Sequence, residues 1–369
     1  MRIALIHDYL IDFGGAEQVL SVLHEIYPEA PIYTLIADKR RMGIGWNKFK
    51  DAQIITSWFN NIPFAAKLIS PLRFLLPLIW KSFTFEKYDM ILSSASWAIT
   101  KGFEKGKNTK EICYVHTPPR YLYGYDTSRK WNEKWFAGLV RFYALIVNHF
   151  MRMYDFEHAQ KVDYFLANSE NVGRRIEKFY RRDYQVIYPP VEVEKIFSSE
   201  VKSVPGNYFL TGGRLVASKN FDLIIKACLK AKVNLKIFGG GVEEEYLKKL
   251  DKGKIDFLGK ISEEELIAYY KGAKAFILAQ KDEDFGITAI EAMAVGKPVI
   301  AYKGGGYLET VIEGKTGIFF EELTVESLVK AINKFNQMKF NSEDCRGEAK
   351  KFSKERFVKE IREFVNKHA

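Results

Sequence analysis

The sequence predicts an α/β protein built from two doubly wound parallel-sheet domains. Short apolar runs of strand length recur along the 369 residues, each followed by a glycine-rich or polar turn and a helix-forming stretch. A chain of this length is too long for one typical hydrophobic core and suits two domains. The pair Pro189-Pro190 ends a strand-like run near mid-chain, and the same pattern then starts again.

The N-terminal half contains six apolar runs that predict strands. They are residues 1–8, 31–36, 89–94, 112–116, 164–167 and 185–188. Helical patterns are predicted at 16–27, at 136–159 and from Glu170, where Ser169 is a suitable cap. Gly14-Gly15 lies between the first strand and the first helix, a geometry that brings phosphate groups close to the backbone. The full G-x-G-x-x-G is absent, which argues against a dinucleotide-dependent oxidoreductase.

The C-terminal half repeats the strand, turn and helix cycle five times. Its predicted strands are residues 208–210, 235–238, 255–258, 273–278 and 298–302. A last amphipathic stretch, 352–367, predicts a terminal helix. We therefore expect domains at 1–190 and 191–351, followed by a terminal helix at 352–369.

Composition and charge exclude several classes of protein. Three widely spaced cysteines indicate a reducing compartment and no disulfide framework, and no metal-ligand spacing appears among the cysteines and histidines. The first apolar run is short and ends in His7-Asp8, unlike a signal peptide. Residues 1–190 contain 26 Lys and Arg against 19 Asp and Glu, and residues 191–369 contain 30 against 27. The N-terminal half is thus the better candidate for an anionic partner, although no nucleic-acid motif is recognisable.

The stretch Ala279–Tyr302 reads as the end of a strand, a loop, a helix and another strand. Phe285 and Gly286 lie where the helix begins, so its first free N–H groups can meet a diphosphate. Glu283 and Glu291 flank this turn, and a carboxylate there can accept hydrogen bonds from a ribose diol. Two structural alternatives remain open: Thr288-x-x-Glu291 is also a capping box, and Glu283 can be a solvated loop charge.

A second anion site is predicted after the strand at 208–210, where Gly212-Gly213 is followed by Arg214 and Lys219. Arginine forks onto phosphate oxygens and lysine acts as a point charge. The alternative is a pair of exposed cations.

His116 ends a strand of the N-terminal half, where open α/β sheets place ligand groups, although a single histidine is more often structural. The segment after it, 121–135, is rich in aromatic residues, and Arg120, Tyr121 and Tyr123 are candidates for acceptor binding.

Residues 62–80 combine large apolar side chains with Lys67, Arg73 and three prolines. The cations and prolines argue against a spanning helix and favour a surface that enters the headgroup region of a membrane. An internal helical hairpin is the alternative.

Together these motifs resemble the retaining glycosyltransferases of family GT4, which have the GT-B fold of two Rossmann-like domains facing across a cleft. The resemblance rests on the order of the motifs along the chain: Gly14-Gly15, His116, Arg214 with Lys219, the E-x7-E motif Glu283 to Glu291, Gly296-Lys297-Pro298-Val299, Gly304-Gly305-Gly306, and Glu313 to Gly317.

The resemblance implies a role for each of these positions. Arg214 and Lys219 would hold the donor diphosphate and Glu291 the ribose hydroxyls. The backbone of Phe285, Gly286, Ile287 and Thr288 would meet phosphate and sugar. Glu283 and His116 would contact the transferred sugar, and Gly14-Gly15 would let the first loop approach it. The terminal helix would return to the N-terminal domain.

The stretch 114–122 is most similar to mannosyltransferases of surface-polysaccharide and O-antigen assembly, which favours GDP-mannose as donor and no resident cofactor or metal. The resemblance also implies a glycan or polyprenyl-linked acceptor and a cytoplasmic protein held at the inner face of the membrane through 62–80. UDP-sugar donors, a non-catalytic sugar-nucleotide-binding subunit, and an epimerase or hydrolase remain alternatives. Front-face substitution and double displacement are both open.

Overall fold

A computed structural model describes residues 1–126, 137–251 and 253–369. Part of the aromatic-rich segment and the start of the helix expected from Phe136 lie outside these residues. The described chain divides into two compact units. The first contains residues 1–125, 137–190 and 355–369, and the second contains residues 191–251 and 253–354 with Asp126.

The first unit is built on a seven-stranded parallel sheet with the order β3-β2-β1-β4-β5-β6-β7. The strands are β1 (Ile3–His7), β2 (Ile32–Thr34), β3 (Ile54–Thr56), β4 (Met90–Ala95), β5 (Lys110–Val115), β6 (Tyr164–Ala167) and β7 (Gln185–Val186). Strand β3 was not predicted; within the described chain it is an edge strand that pairs only with β2, and its three residues are only partly buried.

The second unit contains a six-stranded parallel sheet with the order β10-β9-β8-β11-β12-β13. Its strands are β8 (Tyr208–Arg214), β9 (Asn234–Gly240), β10 (Ile255–Gly259), β11 (Phe276–Leu278), β12 (Val299–Tyr302) and β13 (Gly317–Phe320). The five predicted strands are present, and β13 adds a sixth at a motif that the sequence shows only as a glycine-rich turn.

The helices follow the strands in the alternation expected of doubly wound sheets. In chain order they are α1 (Gly15–Ile26), α2 (Lys39–Met42), α3 (Ala65–Leu68), α4 (Leu76–Lys81), α5 (Arg120–Tyr123), α6 (Ala137–Lys161), α7 (Glu170–Tyr180), α8 (Val193–Phe197), α9 (Phe221–Ala231), α10 (Glu244–Leu250), α11 (Glu263–Gly272), α12 (Ile287–Ala294), α13 (Tyr307–Thr310), α14 (Val325–Asn336), α15 (Ser342–Lys350) and α16 (Lys354–His368).

Each sheet is covered by helices that bury its apolar strands. Helix α16 contributes Phe357 and Ile361 to the core beneath β1 and α1 of the first unit. In the second unit, α9 and α14 supply Ile225 and Ile332 to the core against β8 and β11. Both sheets reverse strand order next to their first strand, and ligands of open α/β sheets bind at such a point. The predicted fold class of two doubly wound α/β domains is therefore confirmed.

Candidate functional site

The strand order of the second unit reverses between β8 and β11, which pair at Leu210 and Phe276. The segments that leave the carboxyl ends of these two strands contain Arg214 with Lys219 and the loop 279–286. The topology therefore brings the two predicted anion-binding segments of this unit to one edge of one sheet.

Glycines let the Lys219 side chain lie against the end of β8. Gly213 has φ +117°, and a Cβ atom added to it would lie 3.1 Å from Lys219 Nζ. On β9, a Cβ atom on Gly239 (φ +102°) would lie 1.9 Å from the Gly213 carbonyl oxygen. Side chains at either position would displace the ammonium group or the strand, so glycine is required here.

Lys219 is held by a short turn that is fastened to β11. It ends the 3-10 turn Ala217–Lys219, and the next residue, Asn220, has left-handed backbone (φ 52°). Asn220 Nδ2 donates to the Ala279 carbonyl oxygen at 2.8 Å. Arg214, at the end of β8, is exposed. The two cations thus differ, because Lys219 is fixed and partly buried whereas Arg214 is free to reach a ligand.

Glu291 lies in α12 and accepts a hydrogen bond from the buried Tyr270 hydroxyl at 3.2 Å. Among the described residues this is the only hydrogen bond to its carboxyl group. Burial raises the pKa of Glu291 to about 7, and the Tyr270 hydrogen bond and the charge of Lys219 oppose that rise. The capping-box alternative is wrong: the N-cap of α12 is Gly286, and Glu291 bonds to no backbone N–H of the described chain.

Glu283 is held in the same way by a second buried tyrosine. The Tyr307 hydroxyl donates to Glu283 Oε2 at 3.2 Å, and the Glu283 carbonyl oxygen accepts from Gly306 N at 2.9 Å. A Cβ atom on Gly305 would lie 2.4 Å from that carbonyl oxygen, so the glycine turn after β12 packs directly on the Glu283 loop. Glu283 is therefore an ordered residue rather than a solvated loop charge.

The first turn of α12 is free of side-chain caps. Gly286 (φ 99°) is its N-cap, and among the described residues no side-chain hydrogen bond caps this turn. Ile287 and Thr288 are partly exposed, as an anion-binding turn requires. Phe285, by contrast, is 2% exposed and packs edge-to-face on Phe352 at 5.3 Å, so it can offer a ligand only its backbone.

Sequence reasoning missed Tyr270, Tyr307 and Gln280. The tyrosines lie about 20 residues from the glutamates that they hold, and no local pattern marks them. Gln280 follows β11 directly and lines a small cavity together with Lys219 and Tyr307. Its side chain is 6% exposed, and its Oε1 atom has no hydrogen-bond partner among the described residues.

In the first unit, a chain of buried polar groups joins the ends of β1, β4 and β5. His116 Nε2 lies 2.8 Å from Ser94 Oγ, and Ser94 Oγ lies 3.1 Å from His7 Nδ1. His7 Nε2 lies 3.5 Å from a carboxylate oxygen of Glu17, whose other oxygen accepts from Gly14 N at 2.8 Å. His7 and Ser94 are register partners on neighbouring strands, which explains the contact. The predicted residues His116 and Gly14 are therefore linked through three residues that the sequence did not single out.

His116 is a neutral imidazole at neutral pH, because burial lowers its pKa to about 3. It can exchange hydrogen bonds with a sugar hydroxyl but cannot supply a positive charge there. Gly15 begins α1 directly after Gly14.

Of the acceptor-side candidates, Tyr123 is already committed to the fold. Its hydroxyl donates to the buried Asp155 at 2.6 Å, and its ring stacks on Phe179 at 4.1 Å. The Tyr121 hydroxyl is buried and has no partner in the described chain. Arg120 is partly exposed.

The segment 62–80 forms short helical turns instead of one surface. Its side chains Ile69, Leu76, Ile79 and Trp80 are buried in the core and are not available to a membrane, and contact through the rest of the segment stays a prediction. The exposed large apolar residues are Phe64, Phe74 and Leu78.

Within the described residues, no helix is long and apolar enough to cross a membrane. Nor does this part of the chain hold a group of three or more His, Cys, Asp or Glu side chains arranged for a metal ion.

Comparisons with known proteins agree with this geometry. Residues 192–352 match the family model described as glycosyl transferases group 1. An alpha-1,3/1,6-mannosyltransferase, ALG2 of Dictyostelium discoideum, is 27% identical over 361 residues, which cover 84% of this chain and 82% of that protein. An uncharacterized glycosyltransferase of Methanocaldococcus jannaschii is 28% identical over 59% of this chain, and the match spans 64% of that protein's length.

Solved structures with the GT-B fold align with the whole chain. Sucrose-phosphate synthase from Thermosynechococcus elongatus has a TM-score of 0.71 at 17% identity and covers 100% of this chain, with 99% of its own length aligned. Anabaena HepE in complex with UDP-glucose has a TM-score of 0.69 at 17% identity, with full coverage of both chains. At such identities the likeness establishes the fold and leaves the substrate open.

Proposed function

We propose that this chain, whose residues 192–352 belong with the group 1 glycosyl transferases and whose fold is GT-B, transfers a hexose from a nucleotide-sugar donor. In this proposal the donor is GDP-mannose, the transferred sugar keeps its anomeric configuration, and the acceptor is a lipid-linked or surface-polysaccharide glycan. The transfer takes place at the cytoplasmic face of a membrane, where a polyprenyl-linked acceptor would be presented.

The observation that supports the proposal most strongly is the pairing of Glu291 with Lys219 at one sheet edge. A carboxylate whose only hydrogen bond in the described chain comes from Tyr270 can accept from both hydroxyls of a ribose. Beside it, the fixed ammonium of Lys219 and the uncapped turn at Gly286 meet the needs of a diphosphate. A nucleoside diphosphate presents a ribose diol and phosphate oxygens, so it requires both kinds of group.

The same groups act on the leaving group. When the bond between the sugar and the diphosphate breaks, negative charge grows on the departing phosphate oxygen, and Lys219, Arg214 and the N-terminus of α12 stabilise it. Neutral His116 orients a sugar hydroxyl by hydrogen bonding. Glu283, fixed by Tyr307, accepts hydrogen bonds from the transferred sugar.

The choice of mannose rests on similarity rather than on the site. The D. discoideum relative that aligns over most of the chain is named a mannosyltransferase, and residues 114–122 resemble mannosyltransferases of polysaccharide assembly. UDP-sugar transfer is the alternative. The experiment below includes UDP-sugars because one fold neighbour was solved in complex with UDP-glucose.

The test is nucleotide release from GDP-mannose, UDP-glucose, UDP-N-acetylglucosamine and UDP-galactose, with and without a polyprenyl-linked glycan extract. We expect GDP release that depends on the extract, and NMR of the product should give the anomeric configuration of the donor. UDP release would exclude mannose transfer from GDP-mannose. Release without the extract would indicate a hydrolase, and an intact sugar nucleotide with an altered sugar would indicate an epimerase. Binding with neither change would indicate a binding subunit.

A matched pair of lysine variants tests the site itself. Lys219→Met removes the cation at Gly213 and should lower kcat at least roughly a hundredfold. Lys339→Met replaces an exposed lysine of the same unit and should leave turnover unchanged. Full activity of Lys219→Met would contradict the assignment.

A further inference from the structure

Helix α6 exposes a row of large apolar side chains. Those that are at least one-third exposed are Leu139 (73%), Phe142 (64%), Leu145 (70%), Ile146 (43%), Phe150 (63%), Met153 (50%) and Phe156 (36%). At about 100° per residue these positions fall within an arc of roughly 140° on one side of the helix. We call this row the outer face of α6.

Packing in the first unit does not explain the outer face. The opposite side of α6 contributes the buried Met151 and the partly buried Val147 and Tyr154 to the core, and it carries the fully buried Asp155. Helix α6 is therefore apolar on two sides, although only one of them packs on the sheet. A surface helix of a protein that stays in water presents polar residues on its second side.

The segment 62–80 contacts this helix through Arg73. Arg73 donates to Asn148 Oδ1 from Nε at 3.0 Å and from Nη2 at 2.9 Å, and its guanidinium lies 5.0 Å from the centre of the Tyr143 ring. Exposed apolar residues of this segment are Phe64 (75%), Leu78 (58%) and Phe74 (48%). These residues add exposed apolar area to a segment that Arg73 joins to α6.

The charged residues around the outer face favour an anionic membrane as its partner. Residues 61–85 and 138–154 contain five cations and no Asp or Glu; the cations are Lys67, Arg73, Lys81, Arg141 and Arg152. Arg141 and Arg152 border the outer face along one edge of its arc, and the exposed His149 and Glu157 fall within the arc. Two copies that met through this surface would bring like charges together, which disfavours a dimer. A bilayer with anionic headgroups satisfies the apolar side chains and the cations at once.

We propose that the outer face of α6 lies in the headgroup region of an anionic membrane, with the helix parallel to the membrane surface. This inference rests on the proposed function in one respect: the membrane contact would hold the enzyme beside a lipid-linked acceptor. It moves the membrane contact from the segment 62–80, where Ile69, Leu76, Ile79 and Trp80 are core residues, to the outer face of α6.

The experiment is co-sedimentation of the full chain with vesicles of phosphatidylcholine alone and of phosphatidylcholine with 30 mol% phosphatidylglycerol. Three variants with the same change of charge are compared: Leu145→Glu and Phe150→Glu on the outer face, and Ile44→Glu at an 85% exposed position elsewhere in the first unit. Circular dichroism melts check that all of them fold.

We expect the parent to bind the anionic vesicles, and Leu145→Glu and Phe150→Glu each to weaken binding roughly tenfold or more, while Ile44→Glu binds nearly as the parent does. Equal binding of all four proteins would overturn the proposal, since it would reflect general basic charge. A parent that does not bind, or a parent dimer that Phe150→Glu converts to monomers, would overturn it as well. Donor-dependent nucleotide release is measured on the same samples, so a failure of the proposed chemistry is seen separately from a failure of membrane binding.

Discussion

At the scale of single residues, the proposed role of Glu291 predicts a pH dependence of donor binding. Its pKa is about 7 in the free protein because burial disfavours the charged form. A ribose diol donates its hydrogen bonds to the ionised carboxylate, so binding expels the proton that Glu291 holds below pH 7. We therefore expect the Kd for GDP, measured by calorimetry, to rise up to about tenfold per pH unit as the pH falls below 7.

The variant Glu291→Gln separates this effect from titration of the nucleotide's own phosphate. It cannot ionise at position 291, so it should bind more weakly at pH 8 and show only the shallow slope that the phosphate causes. If parent and variant follow the same slope between pH 5.5 and 8, Glu291 does not meet the ribose.

At the scale of elements, the N-terminus of α12 depends on Gly286. Alanine there would have to keep φ near 99°, which costs about 1–2 kcal/mol, and its Cβ atom would lie 3.0 Å from the Tyr307 ring that holds Glu283. We expect Gly286→Ala to weaken donor binding roughly tenfold, because the turn that meets the diphosphate moves.

Gly314→Ala is the matched control for this substitution. Gly314 also has positive φ (75°), but an added Cβ atom meets nothing within 4 Å. It should therefore lower the melting temperature by a similar amount and leave the donor Kd unchanged. Equal loss of affinity in both variants would mean that backbone strain alone, and not the position of the turn, affects the site.

Strand β4 offers a comparable pair, because Ser93 and Ser94 face opposite sides of the sheet. Ser94 connects His116 to His7, whereas Ser93 donates to the buried Glu111 at 3.3 Å. We expect Ser94→Ala to lower kcat roughly tenfold with little change in donor KM, since His116 loses the partner that orients its ring.

Ser93→Ala should act on stability and not on turnover, because it removes a partner of a buried carboxyl group. Thermal melts and steady-state kinetics on both variants distinguish the two roles. A Ser94→Ala enzyme with the kcat of the parent would show that the orientation of His116 has no effect on the reaction.

The candidate site could be predicted from sequence only where its residues are neighbours in the chain. Gly213, Lys219 and Gly286 could be predicted as site residues, because an anion-binding turn between a strand and a helix requires glycines and cations at short spacing. Tyr270 and Ser94 are not, since each reaches its partner across the sheet edge, and the register that brings them together is a property of the folded unit. The sequence left both readings of 62–80 open for a related reason: a run of apolar residues shows no period that tells core from surface.

At the scale of the whole molecule, the fold class was predictable because repeated strand, turn and helix cycles have few compact solutions. The strands that escaped prediction, β3 and β13, are three and four residues long. These segments form strands mainly because they pair with β2 and β12, and their own composition contributes less. Such pairing is a property of the folded sheet and cannot be read from the sequence.

The two units have separate hydrophobic cores, and this gives a last prediction. Phe357, from the C-terminal helix α16, is fully buried in the core of the first unit, whereas Phe335 of α14 lies in the core of the second. Replacement of either by alanine should cost about 3–5 kcal/mol through lost burial and a cavity.

In hydrogen exchange, we expect Phe357→Ala to raise rates mainly in β1, β4 and β5, and Phe335→Ala mainly in β8, β11 and β12. Because Glu291 and Lys219 belong to the second unit, GDP affinity near the melting range should fall sooner in Phe335→Ala than in Phe357→Ala. Exchange that rises equally in both sheets for either variant would show instead that the chain unfolds as one cooperative body, with α16 as a structural part of the whole.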